Sequence, residues 1–177
     1  MPEVLAGIAL ITFFVDTPNR FIALDYPEDS WCIRAYASLD GLELLTPPVF
    51  RLAGRDVWLN SQGSECQWLE VTDHPKYDDS AIIIPEGFDN DSVHLKNQHR
   101  SKIGGYASSI QSEVIWSSYV ETPSGWTYPL EGKVQFALQI DSEAKVGLHW
   151  VDSGTVYIGR GISEDTRGRW FVTCQFY

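Results

Sequence analysis

The alternating stretch from Lys133 to Arg160 constrains the fold more than any other feature of the chain. Every second residue at its start is apolar: Val134, Phe136, Leu138 and Ile140. A period of two is typical of a strand with one buried face. Val146–Val151 and Thr155–Arg160 follow after polar turns, so the stretch predicts three consecutive antiparallel strands. Arg169–Tyr177 alternates in the same way and predicts a further strand at the end of the sequence.

Earlier segments are shorter and are separated by proline, glycine and aspartate, which favour turns. They predict strands at Val4–Val15, Phe21–Tyr26, Trp31–Ala37, Val49–Leu52, Val57–Leu59 and Ala81–Ile84. Ser108–Ser118 fits a helix or a strand, and Thr122–Gly125 fits a turn. The sequence therefore predicts a mainly β protein, with antiparallel sheets and few short helices in one compact unit. Two sheets or lobes within that unit, and an α+β arrangement, remain alternatives.

The acidic excess of the chain is confined to its first half. The 177 residues carry 24 acidic and 13 basic side chains, a net charge of −11. Residues 1–91 hold 16 of the acidic and 5 of the basic ones, whereas residues 92–177 hold eight of each. Such a chain repels nucleic acid and anionic membranes and attracts a basic protein. The candidate contacts lie in expected loops: Asp25, Glu28, Asp29, Asp78, Asp79, Glu86, Asp89 and Asp91.

The cysteines and the N-terminal apolar run indicate a cytoplasmic protein. Cys32, Cys66 and Cys174 are odd in number and form no C-x-x-C pair, so we expect free thiols in a reducing compartment, two of them among apolar neighbours. Val4–Val15 is too short to span a bilayer and lacks the basic start of a signal peptide. A buried strand is the favoured interpretation.

No motif for a metal, a cofactor or a catalytic group is present, so we expect neither metal nor cofactor. H-E-x-x-H, zinc-type Cys/His spacing, G-x-S-x-G and the glycine-rich phosphate loops do not occur. Asp141 and Asp152 flank the expected middle strand, which would place them about 20 Å apart, too far for paired-carboxylate chemistry. Asp152-Ser153-Gly154 is interpreted as a hairpin turn. The loop Ser163-Glu164-Asp165 is expected at the same sheet end as Asp141 and Glu143, without calcium-type spacing.

Two glycines and two glutamines that precede or lie in the C-terminal strands could have specific structural roles. Gly104 and Gly105 allow positive φ angles or the close approach of another chain segment. Gln111 and Gln139 are polar residues within apolar surroundings. They fit buried amides that satisfy backbone groups, and the alternative is a polar contact inside a ligand pocket.

Four pieces of the second half resemble a known family: KIGGYASSIQ, FALQIDSE, WVDSGTVY and RWFVTCQFY. In order and spacing they resemble the YwqG-like family of bacterial proteins, over Ser101–Tyr177. Two positions depart from the family pattern: Ala107 stands where proline is usual, and Val151 where glycine is usual. The resemblance implies a single YwqG-like domain over residues 1–177, with an acidic half to about 95 and a motif half from about 96. Its motif or pocket residues are Gly104, Gly105, Tyr106, Gln111, Gln139, Asp141, Trp150, Asp152 and Gly154.

The family has no established activity, but some of its members look like immunity proteins. The resemblance and the acidic half together favour a non-enzymatic protein-binding protein, which neutralises a cognate bacterial toxin by binding it. The alternative is a small-ligand-binding protein or an enzyme of unknown reaction. Its pocket would lie between the sheets, near Tyr106, Gln111, Gln139 and Trp150.

Overall fold

The computed structural model describes residues 2–15, 30–43, 67–75, 97–111, 113–117, 120–146, 148–150 and 152–177. Within these ranges the strands are β1 (Leu10–Val15), β2 (Trp31–Tyr36), β3 (Lys102–Ile103), β4 (Val120–Thr122), β5 (Gly125–Thr127), β6 (Val134–Asp141), β7 (Thr155–Gly161) and β8 (Trp170–Gln175). They form three antiparallel sheets, and the helices are single 3-10 turns. The prediction of a mainly β fold with antiparallel sheets is confirmed. The strands expected at 21–26, 49–52, 57–59 and 81–84 lie outside the described residues.

The largest sheet has four strands in the order β3-β6-β7-β8. β6 pairs directly with β7, so the predicted middle strand over 146–151 is wrong. The connection instead contains a 3-10 turn at Ala144–Val146 and a single bridge between Glu143 and Leu148. The Ser142 hydroxyl donates to the Gly154 carbonyl and accepts from the Trp150 N–H, at 2.8 and 3.0 Å. Among the described residues of the connection, these contacts pair the Gly154 carbonyl and the Trp150 N–H with a side chain.

Because β7 follows β6 directly in the sheet, Asp152 and the loop with Asp165 lie at the sheet ends opposite to those expected. Asp141 pairs with Thr155, which follows Asp152 by three residues, so both aspartates lie at one end of the sheet. The separation expected from an intervening strand therefore does not arise. The loop with Asp165 lies at the opposite end, where its carboxylate meets Lys133 Nζ at 2.9 Å. The expectation that this loop shares an end with Asp141 is wrong.

One face of the four-stranded sheet carries the apolar core. Its fully or nearly buried residues are Val156, Ile158, Val172 and Cys174. The β1–β2 ribbon covers them with Phe13, Trp31 and Ile33. Each such side chain contributes about 1.5–3 kcal/mol when it leaves water. Cys174 is buried, but Cys32 is exposed, because it alternates with Trp31 and Ile33 on the outer side of β2. Cys66 lies outside the described residues.

The N-terminal apolar run divides into two pieces. A 3-10 turn at Glu3–Leu5 precedes β1, so the strand predicted over 4–15 begins only at Leu10. Gly7 has a φ of +76° between them, which a strand does not accommodate. Val4 and Leu5 pack on Ala137 of β6. No helix among the described residues has the length and apolarity to cross a membrane.

The opposite face of the sheet is polar and is covered by an irregular segment. Residues 108–111 and 113–117 form neither the helix nor the strand that the sequence allowed. The turn predicted at Thr122–Gly125 is confirmed, and it joins β4 and β5 into a hairpin that the sequence did not predict. Trp126 on this hairpin is 65% exposed.

Candidate functional site

Buried amides on the polar face hold the irregular segment in place. Gln139 is 1% exposed. Its Oε1 accepts from the Ser108 N–H and its Nε2 donates to the Arg100 carbonyl, both at 2.9 Å. Gln139 therefore satisfies backbone groups of a segment without regular structure, as the buried-amide alternative predicts. Gln111 differs: it is exposed, and its Nε2 donates to the Phe176 carbonyl at 2.7 Å.

Two further residues of the same face were not singled out from the sequence. Gln175 Oε1 accepts from the Ile110 N–H at 2.7 Å. The Tyr157 hydroxyl donates to the Ser108 carbonyl at 2.7 Å. Burial raises the pKa of Tyr157 well above its usual value, since a buried phenolate is poorly solvated. The only sequence indication was a polar position on each alternating strand, which is equally typical of an exposed face.

Asp73 fixes the loop that contains the paired glycines. Its Oδ1 accepts from the Gln98 N–H at 2.8 Å, and its Oδ2 accepts from Lys102 Nζ at 2.8 Å and the Tyr106 N–H at 2.9 Å. Burial opposes its ionisation, but these donors outweigh burial and hold the pKa of Asp73 below its usual value. Burial also lowers the pKa of Lys102, and the Asp73 carboxylate offsets part of that shift.

The lowered pKa of Asp73 favours the charged pair, whereas the lowered pKa of Lys102 favours a neutral lysine. The difference has a physical cause, because only Asp73 receives additional backbone N–H donors. The Lys102 ammonium adds one further hydrogen bond, to Ser108 Oγ at 2.9 Å. We therefore treat the pair as ionised at neutral pH.

Both paired glycines are required by their surroundings. Gly104 and Gly105 have φ angles of +72° and +71°. A Cβ on Gly104 would lie 2.5 Å from Pro2 Cγ, and one on Gly105 would overlap the Asp73 carboxylate. Positive φ and close approach, which the sequence offered as alternatives, occur together. The next residue, Tyr106, is 41% exposed.

A cleft of about 290 Å³ opens at the end of β6, between the polar face and the 97–111 segment. Three of its lining residues, Ser108, Gln139 and Thr155, are buried. His99, His149, Ser153 and Tyr177 line its exposed mouth, and Asp141 and Ser142 lie between. The lining comes from one sheet, its β6–β7 connection and the irregular segment, instead of from two facing sheets.

Asp141 is held rigidly in this cleft. Its Oδ1 accepts from the Ser142 N–H at 2.9 Å and from Thr155 Oγ1 at 2.8 Å, while its own N–H donates to Ser101 Oγ at 2.9 Å. Among the described residues no side chain or N–H donates to Oδ2, and no lysine or arginine pairs with this carboxylate. Asp141 thus presents an oriented oxygen with acceptor capacity to the cleft.

The other motif residues have different positions. Gln139 lines the cleft, whereas Tyr106, Gln111 and Trp150 do not. Trp150 packs against the apolar core. Asp152 is exposed, and its backbone carbonyl accepts from the Tyr177 N–H at 3.3 Å.

The turn over 152–154 is present, but its glycine has a role other than the one expected. The positive φ of this turn, +52°, belongs to Ser153. A Cβ on Gly154 would lie 2.6 Å from the Gln175 carbonyl. Gly154 is therefore needed for close packing against β8 rather than for its own conformational freedom.

A second exposed feature lies in the acidic half. Residues 67–73 form no helix or strand and present three apolar side chains to solvent: Trp68 at 62%, Leu69 at 81% and Val71 at 57% exposure. We call these three residues the apolar strip. The segment ends at Asp73, which is fixed as described above. All eight acidic residues proposed as partner contacts, from Asp25 to Asp91, lie outside the described residues.

The described residues contain no metal-binding group, and comparison with known proteins found no relative. Within the described ranges, no three His, Cys, Asp or Glu side chains are grouped so that they could hold a metal ion. No protein-family model, curated protein or solved structure matches the chain.

Proposed function

We propose that this chain is a non-enzymatic cytoplasmic binding protein that docks onto a basic protein partner, in the manner of an immunity protein that neutralises a bacterial toxin. The observation that carries the proposal is the apolar strip. Three large apolar side chains within four residues are exposed on a segment whose far end is fixed by Asp73. Exposed apolar groups of this kind mark interaction sites.

The composition of the strip suits a protein interface. Tryptophan is enriched among the residues that dominate binding energy, and exposed leucine adds apolar area beside it. Glu70 lies between Leu69 and Val71 and is exposed, so an acidic side chain accompanies the apolar ones. Because Asp73 already holds the end of this segment, less conformational entropy is lost when a partner binds.

The charge of the first half supports a basic partner. Residues 1–91 carry 16 acidic and 5 basic side chains, and the strip lies within this range. An acidic surface raises the association rate of a basic protein and makes it sensitive to salt. Cationic enzymes such as nucleases belong to this class of partner.

The described polar residues support binding over catalysis. Asp73, Lys102 and Gln139, which chemistry could otherwise use, are engaged in internal hydrogen bonds that hold the 97–111 segment. The resemblance of residues 101–177 to YwqG-like proteins supports the immunity role, because some of those proteins look like immunity proteins.

The test is a pull-down with tagged protein from its native cells, at low and at moderate salt, followed by mass spectrometry. Wild type is compared with the double variant Trp68→Ala/Leu69→Ala and with Trp126→Ala, which removes an equally exposed tryptophan from another surface. We expect one stoichiometric, basic, salt-sensitive partner for wild type and Trp126→Ala, and at least tenfold less for the double variant. The isolated partner should then be toxic in cells and be neutralised by wild type. Absence of a stoichiometric partner at either salt would refute the proposal.

The acidic contribution needs a separate variant. Charge reversal at Asp78, Asp79, Glu86 and Asp89 should weaken binding to the purified partner and flatten its salt dependence. Unchanged affinity in that variant would leave the strip as the docking surface and remove the acidic residues from it.

A small-ligand-binding role is the second candidate, and the cleft at the end of β6 favours it. Its volume of about 290 Å³ is at the lower limit of ligand pockets. Metabolite screening by thermal shift tests this role, and it fails if no compound raises the unfolding temperature.

A further inference from the structure

We propose that the cleft at the end of β6 receives a guanidinium or ammonium side chain of the basic partner, with Asp141 Oδ2 as its acceptor. This inference deepens the proposed function and rests on it. It assigns the cleft, which lies in the electrically neutral half of the chain, to the same partner as the apolar strip.

The state of the Asp141 carboxylate is the first argument. Its Oδ1 is occupied by the Ser142 N–H and the Thr155 hydroxyl, which fix the plane of the group. Within the described part of the chain, Oδ2 accepts no hydrogen bond and no cation lies within ion-pair distance. The carboxylate is partly buried, and among the described residues no lysine or arginine forms an ion pair with it. A cationic donor from outside completes this site with a charge-assisted hydrogen bond.

The size and lining of the cleft are the second argument. At about 290 Å³ it is smaller than most pockets for small-molecule ligands, but it accepts one long side chain. Ile110 and Ala144 supply apolar contact for methylene groups, and buried Gln139 and Thr155 line the cleft near Asp141. Lysine and arginine side chains match this lining, because each has an apolar stem and a charged end. Tyr177, 76% exposed at the mouth, offers an aromatic ring to the incoming group.

The same lining argues against other occupants. An anion would meet the Asp141 carboxylate without a lysine or arginine among the lining residues. His99 and His149 line the exposed mouth, but the described residues contain no group of three His, Cys, Asp or Glu side chains that could hold a metal ion. A cation carried on a flexible stem fits both the charge and the shape.

The first experiment uses small probes of the partner's side chain. Nα-acetyl-arginine amide is titrated into the 15N-labelled full chain, and Nα-acetyl-citrulline amide, its neutral isostere, serves as the control probe. We expect saturable amide shifts at Ser142, Gly154 and Thr155 with the arginine probe, and at least tenfold weaker binding of the citrulline probe. Equal binding of both probes, or no saturable shift with arginine up to about 50 mM, which corresponds to about −1.8 kcal/mol, overturns the proposal.

The variants separate the charge of Asp141 from its structural role. In Asp141→Asn, Oδ1 still accepts from Ser142 and Thr155, whereas Oδ2 becomes an NH₂ donor that repels a cation. Asp152→Asn removes one charge at the same sheet end but outside the cleft. Ala144→Leu fills part of the cleft and leaves the Asp141 carboxylate in place. This variant tests occupancy of the cleft if Asp141→Asn does not fold. We expect Asp141→Asn and Ala144→Leu to lose arginine-probe binding, and Asp152→Asn to retain it; the opposite pattern overturns the assignment.

The second experiment distinguishes failure of this inference from failure of the proposed function. Affinity for the purified partner should fall at least tenfold in Asp141→Asn and remain within twofold in Asp152→Asn. If wild type and Asp141→Asn bind the partner equally, the cleft is not a partner site and this inference is wrong, while the proposed function stands. If wild type has no protein partner, the proposed function fails. Binding of the arginine probe would then assign the cleft to a free small cation. That result would also overturn the assignment of the cleft to a partner's side chain.

Discussion

Lys102 Nζ donates to Asp73 Oδ2 at 2.8 Å, although 29 positions separate the two residues in the chain. Their side chains are 11% and 9% exposed, so this is a buried ion pair. Lys102 belongs to β3 at the edge of the four-stranded sheet, and Asp73 ends the segment that carries the apolar strip. The pair therefore connects the proposed docking surface to the sheet.

Replacing Asp73 with Asn should destabilise the protein by about 3 kcal/mol, since a buried charge that loses its partner is costly. The amide retains one oxygen for the Gln98 N–H, but it places an NH₂ group or a neutral oxygen before the Lys102 ammonium. Urea unfolding of the full chain measures the change. Asp152→Asn, at an exposed position, is the matched control and should cost less than about 0.5 kcal/mol. A loss below about 1 kcal/mol for Asp73→Asn would contradict the structural importance of the pair.

The contribution of Asp73 should depend on pH in the acid range. Its folded-state pKa lies below the ordinary value of 3.8, so ionisation favours the folded state. The stabilisation is complete above pH 3.8 and is lost as the pH falls through the lower, folded-state pKa. We expect the difference in unfolding free energy between wild type and Asp73→Asn to be constant from pH 7 to about 5 and to shrink at lower pH. A difference that grows on acidification would reverse the sign and refute this account.

Gly105→Ala should cost more than another glycine replacement at a positive φ. Gly132 has a φ of +68° with open space around it, so Gly132→Ala measures the backbone cost alone, about 1–2 kcal/mol. In Gly105→Ala the added Cβ also overlaps the Asp73 carboxylate. We expect an additional loss of about 1–3 kcal/mol from that overlap, measured by thermal unfolding of both variants. Equal losses would show that the loop shifts freely away from Asp73.

Gln139→Leu should destabilise the protein by about 1–3 kcal/mol, because it leaves the buried Ser108 N–H and the partly buried Arg100 carbonyl without partners. Hydrogen exchange provides a local measurement, since the Ser108 amide should exchange faster once its acceptor is removed. Gln111→Ala, which removes one exposed hydrogen bond, should cost less than about 1 kcal/mol. Unchanged exchange at Ser108 would mean that Gln139 does not hold the segment.

Strand periodicity predicted the fold class well and the connectivity less well. β6, β7 and β8 were each predicted within about two residues of their bounds, although a bulge interrupts β6 between Phe136 and Leu138. A middle strand was predicted over 146–151 because valine and tryptophan in this stretch have high β propensity. The side chain of Ser142 competes for the backbone groups there. This is tertiary information that no period reveals.

The candidate site was predictable only in part. Gly104, Gly105 and Gln139 were singled out because glycine pairs and polar residues in apolar runs have few structural explanations. Asp73 was missed, since an aspartate in a polar stretch usually lies in a solvated loop. The sequence marked Gln139 and Asp141 as possible pocket residues but did not reveal the cleft around them, because it forms from residues that the fold brings together from the 97–111 segment and the β6–β7 connection.

The packing of the β1–β2 ribbon on the distant strand β8 has a consequence for how the chain is made. Ile33 and Trp31 are synthesised well before Val172 and Cys174, which complete their core and follow more than a hundred residues later in the chain. At a translation rate of about 5–20 residues per second, on the order of ten seconds pass between synthesis of the ribbon and synthesis of the strand that covers its apolar side. During that interval it is a two-stranded unit of marginal stability with aromatic residues exposed. Binding by chaperones during translation, and a slow final folding step governed by distant contacts, follow from this arrangement.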